Sequence, residues 1–272
     1  MERKTSSRII KIAAIVLIIL LATTVFWGFL ASKRLEISEY SFTKNGLNTS
    51  FTIVHISDLH YPKNDVELDK VKQTINAARP EIVALTGDII DGSADYADMQ
   101  NISPFLAEIS HKCAVFCILG NHEIGHPRLN DYIGLLNESG VVFLNNEVRT
   151  INVNGSDVAI IGLSDGKKLN AENVSDLAEK DAAKYTLLLA HRPELFENYA
   201  ENSVDLVLSG HTHGGMARLF GKGLYAPNQG LFPKFSHGIY QKNGASMLVS
   251  AGLKGKDRFF NPYEISVIKI SG

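Results

Sequence analysis

The residues able to do chemistry stand in five short groups: Asp58 and His60; Asp88; Asn121 and His122; His191; and His211 with His213. The last group is the sharpest. Gly210-His211-Thr212-His213-Gly214-Gly215 sets two imidazoles two residues apart on a glycine-flanked turn. Imidazole is the commonest metal-donating side chain. Together the groups supply oxygen and nitrogen donors and no thiolate. That set suits manganese, iron or zinc better than soft copper or a structural zinc–cysteine site. So many donors exceed one ion, whereas two ions about 3.5–4 Å apart, sharing a carboxylate, accommodate them.

Each group needs a rigid element to aim it. Phe51–Ile56, Ile82–Thr86, Ala114–Leu119, Tyr185–Ala190 and Val204–Ser209 are short apolar runs rich in β-branched residues, and each leads directly into one group. They are predicted to be buried strands. Helical spacing is predicted over Val66–Arg79, stopped by Pro80, and over Tyr96–His111, Pro127–Ser139 and Asn170–Ala183. Leu35–Tyr40 alternates like a half-exposed strand. Val141–Leu144, Val148–Val153, Val158–Leu163, Met247–Ser250 and Glu264–Ile270 complete the expected strands, with a hairpin turn at Asn154-Gly155. Leu219–Phe235 is glycine-rich, aromatic and without period. Alternating strands and helices imply a largely parallel sheet. In such sheets ligands bind beyond the carboxyl ends of the strands, where the five groups fall.

The chain has 272 residues, enough for one large α/β unit, and a net charge of −2 that does not suggest a nucleic-acid partner. Cys113 and Cys117, four apart in one expected strand, are too far separated along it to pair and are read as apolar fillers. Before the globular part runs an uncharged stretch of 19 residues, Ile12–Leu30, preceded by Arg3, Lys4, Arg8 and Lys11. As a helix it would span about 28 Å, close to the bilayer core. It is long for a cleaved signal peptide, and no good cleavage site follows. The expected organisation is therefore a cytoplasmic N-terminus and transmembrane anchor over residues 1–34, then a catalytic domain over 35–272. By the excess of basic residues before the span, that domain is expected outside the cytoplasm, on a single-pass membrane protein.

The motifs Asp58-x-His60, Gly87-Asp88-x-x-Asp91, Gly120-Asn121-His122-Glu123, His191 and Gly210-His211-x-His213, in this order, resemble those of the calcineurin-like metallophosphoesterases. The resemblance covers the globular part. It implies an α/β fold, a four-layer αββα sandwich of two mixed sheets, and a hydrolase of phosphate ester or pyrophosphate bonds. It further implies that Asp58, His60 and His213 hold one divalent ion, that Asn121, His191 and His211 hold a second, and that Asp88 bridges them. Manganese is the first expectation, with iron or zinc as alternatives. His122 would protonate the leaving group or bind phosphate, and Asp91 would hydrogen-bond His122 and fix its tautomer. The helix-cap reading of Asp91 competes with that role.

Within the family, the N-terminal apolar stretch, Gly214-Gly215 and Asn261-Pro262-Tyr263-Glu264-Ile265 are similar to a membrane-anchored branch of bacterial phosphodiesterases and a lipid-A-pathway pyrophosphatase. The chain departs from that branch at Met216, often Gln there, and at Ala251-Gly252-Leu253-Lys254, often Arg-Gly-Leu-Gly. A phosphorylated small molecule or a lipid-linked substrate such as UDP-diacylglucosamine is the implied partner. The competing reading is a non-catalytic membrane protein that keeps the fold and binds phospholipid or another protein.

Other residues carry weaker expectations. Arg192 and Arg258 are candidates to clamp a phosphate, or else surface residues. Glu123 either supports the site from behind or is an ordinary first-turn acid. Asp165 is placed near the site. His55 is expected in the core and His111 at a helix end, while His126 and His237 either approach the site or are solvated loop residues. Phe220, Leu224, Tyr225, Leu231, Phe232 and Phe235 form either an apolar rim or ordinary loop packing, of which packing is the default.

Overall fold

The computed structural model describes residues 2–165, 183–255 and 258–272, with side chains from residue 8 onward. In chain order, helix α1 (Glu2–Ser32) leads into strand β1 (Leu35–Thr43), β2 (Phe51–Ile56), α2 (Leu68–Ala78), β3 (Ile82–Thr86), α3 (Tyr96–Ser110) and β4 (Ala114–Ile118). A single turn α4 (Asn121–Ile124), α5 (Leu129–Glu138), β5 (Val142–Phe143), β6 (Glu147–Val153), β7 (Ser156–Leu163) and β8 (Tyr185–Ala190) follow. Then come α6 (Phe196–Tyr199) and β9 (Leu206–Ser209). The remainder is four two-residue strands, β10 (Arg218–Leu219), β11 (Lys222–Gly223), β12 (Tyr225–Ala226) and β13 (Gly230–Leu231), and three longer ones, β14 (Gly238–Lys242), β15 (Ala245–Val249) and β16 (Tyr263–Ser271). The helix expected over Asn170–Ala183 lies, but for Ala183, outside the described residues.

Two six-stranded mixed sheets form the body, in the orders β1-β16-β2-β3-β4-β5 and β14-β15-β9-β8-β7-β6. In each, the central run is parallel: β2 to β5 in the first, β7 through β8 and β9 to β15 in the second. These are the strands whose carboxyl ends carry the polar groups. Strands buried on both faces should lack alternation, and β3 and β8 are buried at every position. The sheets face each other across a layer that includes Ile53, Phe116, Ile160, Leu187 and Leu248, all 2% exposed or less. A second apolar cluster lies under α2, α3 and α5 and includes Val71, Ile75, Ile102, Leu106 and Leu136. A third seats Phe196 and Tyr199 of α6.

Local signals set several boundaries. Asp95 caps α3 by accepting from the Asp98 N–H, and Asp98 returns the bond to the Asp95 N–H. The Asn154-Gly155 hairpin joins β6 to β7 with both residues at positive φ. Cys113 precedes β4 and Cys117 lies within it, and both are free thiols. The stretch expected to be irregular contains two small hairpins, β10–β11 and β12–β13. Strands of two residues are too short to show a period.

Helix α1 is long and apolar enough over Arg8–Ser32 to cross a bilayer. From Arg8 its side chains stand exposed until the last turns, where Gly28 and Ser32 are buried against the globular part. Phe260 N–H donates to Gly28 O at 3.1 Å, and Asn261 N–H donates to Ser32 Oγ at 3.2 Å.

Candidate metal centre

Four loops after β2, β3, β8 and β9, with the turn after β4, converge at the carboxyl ends of the parallel strands. Asp58, His60, Asp88, His191 and His211 are each 5% exposed or less. Three donor sets draw together to within 4.8 Å: Asp58, His60 and His213; His60, Asp88 and His122; Asp88, His191 and His211. The Asp88 carboxylate joins the last two. Its Oδ2 lies 3.3 Å from His191 Nε2 and 3.7 Å from His60 Nε2. Asp58 Oδ1 lies 4.0 Å from His60 Nε2 and 3.9 Å from His213 Nε2. Donors at such spacing are placed like neighbours around an ion about 2 Å from each.

The backbone here is unusual. Asp58, His60, Asp88, His211 and His213 all have positive φ, between 48° and 68°. Left-handed backbone at a residue other than glycine costs of order 1–3 kcal/mol and persists where the surroundings over-determine it. Here neighbouring strand ends supply that constraint. Asp58 N–H and His60 N–H donate to Gly87 O and Asp88 O, and His211 N–H donates to the Asp58 carboxylate.

Whether these residues suit cations is tested by their unpaired atoms. His60 Nε2, Asn121 Oδ1 and His191 Nε2 are buried and have no hydrogen-bond partner. Buried polar atoms are nearly always satisfied. The other nitrogens of two rings are anchored from behind: His191 Nδ1 to Thr86 O at 2.7 Å, His213 Nδ1 to Lys254 O at 3.0 Å. Such bonds fix the tautomer that turns Nε2 inward as a lone pair. His211 engages Asn228 through Nε2 at 2.8 Å, so Nδ1 is its remaining nitrogen. Burial holds His60 down at about 4 and, with the neighbouring His191, holds His211 down at about 3, so both rings are neutral and able to ligate at pH 7. Burial opposes a charge on His191, but the Asp88 carboxylate outweighs it and holds that ring up at about 10. A cation there takes the place of the proton. The donor set fits divalent cations.

His122 flanks this cluster, half-buried, its Nε2 4.0 Å from Asp88 Oδ2. Its Nδ1 accepts from the Gly92 N–H at 3.1 Å. The expected bond from Asp91 is absent, which corrects the sequence reading. Asp91 Oδ1 instead accepts from Lys63 Nζ and from the backbone and hydroxyl of Ser93, and Oδ2 lies 3.6 Å from His60 Nδ1. Partial burial opposes its charge, and the Ser93 and Lys63 bonds overcome this and hold the carboxyl well below the usual range. Asp91 caps no helix, since Asp95 does that for α3.

Glu123 proves to be a strut. Fully buried, it accepts from the N–H groups of Asp88, Ile89, Ile90 and Gly120, tying the loop after β3 to the turn after β4. Burial, then the charge of Asp88, push its carboxyl up to about 8 against the pull of those donors.

The two arginines are committed elsewhere. Arg192 makes a two-pronged pair with Asp165, through Nε and through Nη2 at 2.8 Å. This places Asp165 behind Arg192, whose Nη1 lies 3.4 Å from His211 Nε2. Arg258 is 3% exposed, not a surface residue, and donates to the carbonyls of Ala251, Gly252, Lys254, Asn261 and Pro262. With its donors spent on main chain, it shapes the wall of the cleft. That cleft, of about 250 Å³, is also lined by His60, Asp91, His122, His213 and Met216. His55 is a core ring bonded to Thr86 Oγ1, His126 bonds Ala94 O, and His237 bonds Glu264, all outside the donor set.

Sequence reasoning gave no role to the Asn261 side chain. Its Nδ2 donates to His213 O at 2.7 Å and to Met216 O at 2.6 Å, and so clamps the turn that carries two candidate ligands. The signal was present as Asn261-Pro262-Tyr263-Glu264-Ile265, but not its target.

The Calcineurin-like phosphoesterase family model matches residues 51–215, the span that holds every candidate ligand. The chain belongs to this family. A metallophosphoesterase of Aquifex aeolicus is 30% identical over 258 residues, covering 90% of this chain and 95% of its own. The Bacillus subtilis metallophosphoesterase YkuE is 31% identical over 207 residues, 75% of this chain and 72% of its own. Among solved structures, the NAD nucleotidase of Haemophilus influenzae superposes with a TM-score of 0.51 at 19% identity, over 75% of this chain and 45% of its own. That likeness is one of fold.

One close approach in this phosphoesterase gives a direct test of the site's packing. A Cβ at Gly210 would lie 1.8 Å from Ser57 Oγ and 2.4 Å from Asp58 Oδ2. Gly210→Ala is therefore expected to displace the Asp58 carboxylate and weaken metal binding by about 10–100-fold, the usual cost of disturbing a ligand's support. Metal titration of the variant checks this, and unchanged affinity would mean that Asp58 is no ligand.

Proposed function

We propose that this protein is a membrane-anchored phosphoesterase that uses two divalent cations to cleave a phosphate ester, diester or pyrophosphate bond. The observation that carries the reading is the trio of buried, unpaired donor atoms, His60 Nε2, Asn121 Oδ1 and His191 Nε2, of which both imidazoles cluster with Asp88. Leaving a polar atom buried and unpaired costs about 1–3 kcal/mol, a cost that a bound cation offsets. On this reading Asp58, His60 and His213 would hold one ion, Asn121, His191 and His211 the other, and Asp88 would serve both. When bound, such ions supply Lewis-acid stabilisation and a water acidic enough to attack phosphorus near neutral pH. Manganese is the first choice, with iron or zinc as alternatives.

The remaining work falls to the chain. Because the Gly92 N–H occupies His122 Nδ1, the neutral ring keeps its proton on Nε2. From there it donates a hydrogen bond to a phosphate oxygen or to the oxygen of the departing group. Arg258 and Asn261 hold the wall and the histidine turn still, so the donors need no rearrangement when substrate arrives.

Residues 1–34 serve as anchor and 35–272 as catalytic unit. The basic residues before the span favour a cytoplasmic N-terminus and an extracytoplasmic active site. With β1 beginning three residues after the helix, the site is held near lipid. That position favours an amphiphilic, lipid-linked substrate such as UDP-diacylglucosamine. The test is full-length protein in detergent, loaded with manganese and offered an aryl monophosphate, an aryl diester and a pyrophosphate-linked lipid. Hydrolysis that stops with chelator and returns with metal is expected for at least one. Inertness toward all three with metal bound would favour a binding protein that keeps the fold.

A further inference from the structure

We propose that the face formed by Leu219, Phe220, Leu231 and Phe232 inserts into the same bilayer that α1 spans, so that the catalytic unit is held at two points. This rests on reading α1 as a membrane-spanning helix. Phe220 is 96% exposed, Phe232 77% and Leu231 72%. Outside α1 no other large apolar side chain among the described residues is as exposed as these three. They occupy two adjoining hairpins. Phe232 N–H donates to Leu224 O at 2.9 Å, and Phe232, Gly221 and Lys222 face one cleft. Exposed apolar side chains gathered on adjoining hairpins in this way mark an interface. Of the stretch read from the sequence as rim or packing, only Phe235 is fully packed.

The connection to α1 fixes which partner covers it. The Phe259 ring meets Phe29 edge-on at 5.5 Å, and a Cβ at Gly28 would fall 2.2 Å from that ring, so the bare backbone of Gly28 makes room for it as it stands. Phe260 N–H caps Gly28 O one turn before the helix ends. Gly28 lies inside the apolar run, about 6 Å short of Ser32 along the axis. From Phe259 the chain steps directly to the patch: Arg218 N–H donates to Phe259 O at 2.8 Å and Ala217 bridges Phe259. Leu219 and Phe220 come next in sequence. The patch is thus one β-bridge away from a segment packed at lipid depth.

Charge agrees with this placement. Residues 217–236 hold no acidic residue, and Lys222 stands exposed among them, while Arg218 is buried and Lys234 pairs with Glu197. Exposed Lys33 and Arg34 follow α1 directly. Lysines beside an apolar face reach the headgroups while their stems lie in the interface. The occupant is therefore a bilayer containing anionic lipid. Met216, which lines the catalytic cleft, immediately precedes this segment, so insertion sets the mouth of the cleft against the headgroups.

The chain has one tryptophan, Trp27, which lies in α1. Full-length protein in vesicles of phosphatidylcholine and phosphatidylglycerol with brominated acyl chains makes quenching a depth gauge. In a Trp27→Phe background, Phe220→Trp and Phe232→Trp are expected to be quenched by the bromines and shielded from aqueous acrylamide. Asn45→Trp, at the far end of β1, about 30 Å along the strand from Leu35, is expected to show the reverse. Quenching of native Trp27 with neither loop probe quenched overturns the insertion. Loop probes shielded from acrylamide but untouched by bromine also overturn it, since a protein partner then covers the face. If Trp27 itself escapes quenching, the membrane-spanning reading of α1 falls first.

Discussion

Asp88→Asn is expected to abolish nearly all hydrolysis and to lower the bound metal. The Asp88 carboxylate is 1% exposed, and its two oxygens do different work. Oδ1 accepts the His122 N–H at 2.9 Å, while Oδ2 faces His191, His60 and His122. Burial opposes its charge, but His191, His60 and His122 around it hold the carboxyl far below its usual range. An amide has the same shape and can still accept from His122, so the fold should survive. On the proposed reading, what is lost is the negative charge that would offset repulsion between two close dications. The loss in kcat is expected on the order of 10³-fold or more, the scale reached when one member of a catalytic unit is removed. Metal analysis by mass spectrometry, beside thermal melting, separates loss of ions from loss of fold. Full occupancy with ordinary turnover would sink the shared-carboxylate assignment.

His122→Ala should give the second-largest loss, about 10²–10⁴-fold, with metal retained. Of the three donor sets only His60–Asp88–His122 includes it; the Asp58–His60–His213 and Asp88–His191–His211 clusters omit it. Its proton is directed to Nε2 by the Gly92 N–H rather than by a carboxylate. A plot of rate against leaving-group pKa is the informative measurement. If His122 protonates the alkoxide, the defect should shrink toward nothing for good leaving groups, which depart without a proton. A defect of the same size across the series would make it a phosphate-binding residue instead.

How far the site was legible follows from what each residue depends on. The strands that carry it were readable because they are short apolar runs cut off by polar residues. β2, β3 and β8 match the expected spans residue for residue, and β4 ends one residue early. The groups at their ends follow from that alone. What stayed hidden depends on contacts remote in sequence. Nothing local says that Asp58, His60, Asp88, His211 and His213 bend into the left-handed region, since the usual sign of that conformation is glycine or asparagine. Arg258 was read as a phosphate clamp or a surface cation because the five carbonyls it serves come together only in the fold. Asp91 was assigned to the wrong imidazole for a similar reason: Lys63 and Ser93 draw its carboxylate away from His122. The small hairpins between Arg218 and Leu231 are too short to leave any periodic trace.

The pairing of β1 with β16 sets an order of events during synthesis. β1 is an edge strand whose neighbour in the sheet is β16, matched in parallel from Leu35 with Tyr263 to Thr43 with Ser271. β16 also lies between β1 and β2. The first strand to follow the helix thus waits, with both ladder edges open, until almost everything else has been translated. Parallel pairing across such a separation is slow and leaves edges exposed in the meantime. The segment leading into β16 brings Arg258 and Asn261, the groups that hold the wall and the histidine turn. Closing the sheet and steadying the donors are therefore one event, and a nascent chain halted before residue 258 holds neither a complete sheet nor a braced site.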